Sequence, residues 1–281
     1  MKKQESFIPL ALAKFANYIL ASSKSNIKIV PSVSYEELPV RQSKFLGVPY
    51  WPKPITDYPK DKSGNLMKLM VQINFEDLKP FHNILDLFPT TGILQFFIPQ
   101  NDQPNHYWGL SFNDIGKTNH DIVVIYHERI DLPHYVNDQI IEIHNSLNND
   151  EYPIFKHCRL KFEEQNQFCP LIDYYASDCF YKDFMNDLSY QEQDVFYESE
   201  EFDSTGCKLD GYAYFTQADP RKTPYDIDNP WILLLQIDSV EDENGEPVSM
   251  WGDAGVANWF IRKKDLLNKD FSNILYNWDC H

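Results

Sequence analysis

Basic side chains are scarce in this chain: 25 Lys and Arg stand against 42 Asp and Glu, a formal charge of −17. That shortage argues against a nucleic-acid binder, because displacing counterions from a phosphate backbone takes clustered Lys and Arg. It equally disfavours anionic membrane surfaces. Long apolar runs are missing too, and no stretch is long enough to span a bilayer. The five cysteines, Cys158, Cys169, Cys179, Cys207 and Cys280, are odd in number and contain no C-x-x-C pair. That usage fits reduced thiols in a cytoplasmic protein better than a disulfide framework. No N-x-Ser/Thr sequon occurs. Glycine is sparse, 10 against 18 prolines, which suggests fixed connections between short strands.

The start, Met1-Lys2-Lys3 followed by an apolar run to Ala13, resembles a signal peptide, but Lys14 interrupts it. Phe15, Tyr18, Ile19 and Leu20 then continue at helical spacing. An amphipathic helix over 7–22 is expected, with Leu10, Phe15, Tyr18 and Ile19 inward.

Aromatics are plentiful, with 19 Phe and 17 Tyr in 281 residues, and they favour extended structure. A chain of this length buries roughly three quarters of its unfolded surface, so it needs no staples. The most informative pattern is a self-match. Lys44, Gly47, Tyr50, Asn65, Leu69, Gln72 and Ile73 return 164 positions later as Lys208, Gly211, Tyr214, Asn229, Leu233, Gln236 and Ile237. One residue is then lost, and Gly92-Ile-Leu-Gln-Phe-Phe-Ile98 is answered by Gly255-Val-Ala-Asn-Trp-Phe-Ile261. A period this long reads as a duplicated subdomain rather than a solenoid unit. The expected fold is therefore α+β and β-rich: an internally duplicated pair of similar subdomains packed as one unit, with peripheral helices. Residues 1–140 would hold the first helix and the first copy (core 44–98). Residues 141–281 would hold an acidic connector and the second copy (core 208–261).

Strands are expected over 27–33, 69–75, 92–98, 121–126, 156–164, 231–238, 256–261 and 276–280, and short helices over 137–145 and 263–269. In the second of these strands Leu69, Val71, Ile73 and Phe75 should share one face, opposite Met70, Gln72 and Asn74. The prolines of Gly47-Val-Pro-Tyr-Trp-Pro52 exclude a regular helix and predict a rigid loop. Residues 183–219 carry ten acidic side chains and one basic one, Lys208. They predict a solvated helix over about 180–198 and then an acidic loop.

Chemical motifs fail on context. Gly116-Lys117-Thr118 ends like a phosphate loop, but Ser111 stands where the first glycine belongs and a strand follows instead of a helix. Gly109-Leu-Ser-Phe-Asn113 lacks the last glycine of a nucleophile elbow. His127-Glu128 has Asp131 in place of a zincin's second histidine. His120, His127 and His134, seven apart, cannot share a strand face. The Asp242-Glu-Asn-Gly245 turn would put Val240 and Trp251 at calcium-ligand positions. Cys280-His281 adjoin at the C-terminus, where fraying is commoner than catalysis. No catalytic set, metal site or cofactor is expected.

What remains are amides inside apolar strands, Gln72 and Gln236 with Gln95 and Asn258 at matched places. Each must be hydrogen-bonded or cost roughly 1–3 kcal/mol. They either tie loops to the sheet or line a polar cleft between the halves, with Trp251 and Asp253 of Trp251-Gly252-Asp253 and with Gln217 and Asp219.

The ordered set Gly47-Val-Pro-Tyr-Trp-Pro52, Val71-Gln-Ile-Asn74, Gly92-Ile-Leu-Gln-Phe-Phe97, Leu209-Asp-Gly-Tyr212 with Gln217, Leu235-Gln-Ile-Asp238, Trp251-Gly-Asp-Ala-Gly255 and Trp278-Asp-Cys280 resembles the YwqG-like family of bacterial proteins of unknown function. The resemblance covers about residues 40–281. Asp210 departs from it, standing where the family pattern has a small residue, often glycine, so a different turn is expected there. The resemblance implies a duplicated β-rich fold and a cytoplasmic protein. It brings no activity, cofactor or catalytic residue, and association with toxin systems suggests an immunity-like role. Two functional readings follow. One is a non-enzymatic binding protein of the kind that neutralises a basic toxin or other protein partner. The other is a small-ligand protein or hydrolase using a cleft of Gln72, Gln236, Trp251, Asp253, Gln217 and Asp219.

Overall fold

The computed structural model describes residues 8–100, 106–111, 113, 115–118, 120–135, 137–145 and 152–281. A 3-10 turn, Leu10–Phe15, leads into α1, Ala16–Ala21. Four strands follow: β1 Lys24–Val33, β2 Lys44–Phe45, β3 Lys68–Asn74 and β4 Ile93–Ile98. A small hairpin of β5 His106–Tyr107 and β6 Leu110–Ser111 precedes β7, Val123–His127. Then come α2 Asp138–Asn145, β8 Cys158–Gln167, α3 Tyr174–Tyr181 and α4 Tyr190–Glu198. β9 Lys208–Leu209 and β10 Trp231–Asp238 are followed by a hairpin of β11 Val240–Glu241 and β12 Pro247–Ser249. The chain closes with β13 Val256–Arg262, α5 Lys263–Leu267 and β14 Ile274–Asp279.

Ten of the strands form one antiparallel sheet in the order β14-β13-β10-β9-β1-β8-β2-β3-β4-β7. The β1–β8 pair lies at its centre and is long, from Lys24 opposite Gln167 to Val33 opposite Cys158. The sheet curls until it is nearly closed. Phe96 on β4 meets Trp259 on β13 with ring centroids 5.7 Å apart, although six strands lie between β4 and β13 in the sheet order. Inside the curl lies the main core, from Ile29, Phe45, Ile73 and Phe96 to Ile237, Trp259 and Tyr276. Trp51, Tyr58, Leu69 and Phe97 cover the outside of one wing, and Phe215, Leu233, Phe260 and Leu275 the outside of the other. Helices and 3-10 turns form a fourth cluster around Phe15, Ile19, Tyr181, Phe184, Phe196 and Phe202.

Four expectations need correction. β3 is buried on both faces, because the Tyr50–Trp51 loop covers the side that was expected to be polar. A register shift between Leu69 and Val71 also moves Leu69 to the outer cluster, while Val71 and Ile73 stay inside. β10 has the matching shift between Leu233 and Leu235, with Leu233 outside and Leu235 inside. In the N-terminal helical segment Phe15 and Ile19 are buried, but Leu10 is 86% exposed and Tyr18 is 42% exposed. The expected single helix over 180–198 is broken into α3, a 3-10 turn at Met185–Asp187 and α4. Ser189 breaks it: its side chain caps Glu192 N while the Glu192 carboxylate accepts from Ser189 N, a capping box that can only start a new helix. Asp210 does not change its turn. Leu46-Gly47 and Asp210-Gly211 are both left-handed pairs, with φ of 57° and 82° and of 60° and 87°. Aspartate tolerates that region better than most side chains, and Lys24 Nζ lies 2.5 Å from its carboxylate.

The buried amides of these strands hold loops to the outer face of the sheet at matched points. Gln72 Oε1 accepts from Tyr50 N (3.0 Å), and Nε2 donates to Val40 O and Gln42 O, both 2.8 Å. Gln236 Oε1 accepts from Tyr214 N (2.9 Å), and Nε2 donates to Ser204 O and Gly206 O, both 2.8 Å. Gln95 Nε2 donates to Tyr50 O and Asn258 Nδ2 to Tyr214 O.

Candidate functional site

The six residues proposed for a cleft go to different places. Gln72 and Gln236 are fully buried on opposite wings, with β9, β1, β8 and β2 between their strands, and both spend their polar atoms on loop backbone. Trp251 is fully buried in an aromatic cluster, 5.4 Å from Trp108 and 6.1 Å from Trp259 between centroids. Gln217 and Asp253 are exposed but do meet the same segment: Gln217 Nε2 donates to Cys280 O, and Asp253 O accepts from His281 N. Asp219 lies elsewhere, in a buried ion triad with Arg221 and Asp173.

The histidines are equally dispersed. His127 Nε2 lies 2.9 Å from Gln95 Oε1, and burial, followed by the charge of Lys53, pushes its pKa down to about 4. His120 is buried against the Tyr276 ring. Gly116 sits in a turn with φ 77°, its Cα side pressed against Pro220 O. Among the described residues no group of three or more His, Cys, Asp or Glu side chains is placed to hold a metal ion.

The surface that gathers interaction chemistry is the helical layer of α3 and α4, which sequence reasoning treated only as a solvated connector. Its frame is built from Asp173. The carboxylate caps α3 through Ala176 N (2.9 Å), accepts from Ala213 N (2.8 Å) and pairs with Arg221 Nη2 (2.5 Å). Asp219 receives Arg221 Nε and Nη2 and also Tyr175 N (2.9 Å). Burial pushes the Asp173 carboxyl above its ordinary range, and Arg221 pulls the other way. The guanidinium also stacks 4.3 Å from the Phe260 centroid and 5.1 Å from Tyr175. This triad has all its principal groups paired, so it positions α3 rather than offering a free charge. At α4, Lys14 bonds Glu192 at 2.7 Å. That bond first, and then the Ser189 backbone and hydroxyl, draw the Glu192 carboxyl down to about 2.

What these partners leave over faces solvent. Tyr174, Tyr190 and Tyr197 are 42%, 86% and 56% exposed. Asp183, Asp187, Asp194, Glu198, Glu200 and Asp203 are exposed around them, with Lys182 as the exposed cation in that stretch. Exposed tyrosines suit a recognition patch, since tyrosine adds apolar area at little entropic cost, and the charge around these three is predominantly negative. The patch contains a depression of about 280 Å³ lined by Tyr174, Asp178, Lys182, Met185, Asn186 and Thr223. A second depression of about 190 Å³, between β7 and Phe271–Ile274, has Thr118 and Ser272 as its polar lining side chains beside Ile122, Val123, Val124, Phe271 and Ile274.

Comparison with curated proteins finds no match. A protein-family model matches residues 43–280, which takes in every strand of the sheet except β1. The chain belongs to the family described as a domain of unknown function, DUF1963.

Proposed function

We propose that this is a non-catalytic binding protein that takes a basic protein partner on its α3–α4 face. The observation that carries the reading is that the exposed side chains of α3, α4 and the turns that follow them include three tyrosines and six carboxylates, with Tyr174 lining a depression. Complementary charge steers such encounters, and tyrosines supply the desolvated contact that holds them. An immunity-like role, neutralising a basic toxin, is the narrower form of the same reading; it rests on the acidic balance and on the YwqG-like resemblance. A cytoplasmic setting fits the five unpaired thiols. The cleft reading has no comparable support, because Gln72, Gln236 and Asp219 already have internal partners.

The architecture behind this face is read as an ancestral duplication. Supporting it are the equal offsets of the two register shifts, the two left-handed pairs and the two glutamine clamps.

The test is capture on the immobilised protein from a lysate of the source cells, at 30 and 300 mM salt. A defined basic protein should be retained at low salt and released at high salt. It should be lost by the variant carrying Asp183→Lys, Asp187→Lys, Asp194→Lys and Glu198→Lys. Capture of nothing specific, or equal capture by that variant, removes the proposal.

A further inference from the structure

The α3 helix presents one chemical pairing twice, once inside and once outside. On its inner side Asp173 and Tyr175 hold Arg221: the carboxylate bonds the guanidinium and the ring stacks on it at 5.1 Å. On its outer side Tyr174 and Asp178 form the wall of the 280 Å³ depression, which has no arginine of its own. We infer that this depression is a socket for one arginine side chain of a protein partner. The inference rests on the reading of the α3–α4 face as a protein interface.

The lining matches a guanidinium in kind and in number of acceptors. Asp178 Oδ2 accepts from Tyr225 N at 2.9 Å, which fixes the carboxylate and leaves Oδ1 as a further acceptor. The Tyr174 ring, 42% of the residue being exposed, offers a π system that attracts a cation, the more so where water is excluded. Asn186 and Thr223, both exposed, add carbonyl and hydroxyl acceptors, and half-buried Met185 can cover the methylene stem. A flat fork with five donors can use several of these acceptors together, whereas an ammonium is a point charge. The depression, about 280 Å³, has room for one guanidinium and its stem.

Lys182 is the one lining group that opposes a cation. It forms no ion pair with Asp178, and its exposed chain is free to swing toward solvent. It acts as a brake on affinity: removing its charge should tighten binding.

The experiment is a two-dimensional NMR titration of the full chain at 20 mM salt. The probe is an acetylated, amidated Gly-Arg-Gly-Arg-Gly peptide, compared with its lysine and citrulline counterparts. The arginine peptide should move the amide signals of Asp178, Asn186 and Thr223, bind about fivefold tighter than the lysine peptide, and outcompete citrulline entirely. Asp178→Asn keeps an acceptor for Tyr225 N and should weaken the arginine peptide about tenfold. Tyr174→Leu should weaken it about threefold, and Lys182→Gln should strengthen it about twofold. Asp86→Asn, an exposed carboxylate on the other wing, should change nothing. Equal binding of arginine and lysine peptides, with Asp178→Asn indistinguishable from Asp86→Asn, would mean diffuse attraction by net charge and overturn the socket. Partner capture that survives Asp178→Asn, together with no peptide binding, removes the socket but leaves the interface. Absent capture with intact arginine selectivity does the reverse.

Discussion

A buried glutamine in an apolar strand invites a functional reading, and here its surroundings answer it. Gln236 is fully buried, and each of its hydrogen bonds goes to the backbone of a loop that has no regular partner of its own. Removing the side chain therefore strands Tyr214 N and Gly206 O, while Ser204 O keeps its bond from Lys208 Nζ. Gln236→Leu should lower unfolding stability by about 2–4 kcal/mol in urea titrations, with circular dichroism of the native state unchanged. Gln217→Ala, at an exposed amide, should stay within about 0.5 kcal/mol of the parent. A Gln236→Leu variant as stable as the parent would show that the loop backbone finds other partners.

Among the elements, α4 shows how a short helix is held without help from length. Nine residues are too few to be stable alone in water. The Ser189–Glu192 box satisfies the first amides, Lys14 ties Glu192 to the N-terminal segment, and Phe196 anchors the inner face. Ser189→Ala should cost about 1 kcal/mol and release Glu192 from its cap. Thermal unfolding reads the loss, and a carboxylate NMR titration should show Glu192 moving up from its depressed range. The same variant should also loosen Tyr190 and Tyr197, which ride on this helix, so partner capture should weaken with it.

At the scale of the whole molecule, two buried lysines set a pH dependence. Burial pushes Lys44 down to about 7, opposed by Glu37, and Lys208 down to about 8, opposed by Asp203, Asp238 and Asp173. In the unfolded chain both amines keep their protons up to about 10.4. From pH 7 upward these two amines are protonated in the unfolded chain and lose their protons in the folded one, so their own contribution to stability rises with pH. The thiols of Cys158, Cys169, Cys179 and Cys207, which burial pushes up, oppose it above about pH 8.5, where they ionise only on unfolding. One fully shifted amine contributes at most about 1.4 kcal/mol per pH unit. In urea unfolding at pH 7, 8 and 9 the parent should therefore gain stability relative to Lys44→Met as the pH rises. A slope unchanged in that variant would mean that the Lys44 amine stays charged, sheltered by Pro39 O and Val48 O, its hydrogen-bond partners.

The residues alone determined that this is a β-rich α+β chain. They determined where most strands lie, because alternation, apolar runs and turn residues are local signals; β10 runs from Trp231 to Asp238 as its sequence pattern implies. They set aside the motif matches at Gly109, Gly116 and His127 on spacing, which is also a local signal. The capping box at Ser189 was legible as well, but the acidic character of its surroundings masked it. Only the tertiary structure decided which polar groups are spoken for. Gln72, Gln236 and Asp219 look like site residues until distant loops and Arg221 consume their hydrogen-bonding capacity. Tyr174, Asp178 and Thr223 look like nothing in a linear chain. They become a depression because a capped helix and a loop about 45 residues further on are packed side by side, held by a buried ion triad whose members are also distant in sequence. Burial and partnership are long-range properties, and no window of sequence contains them.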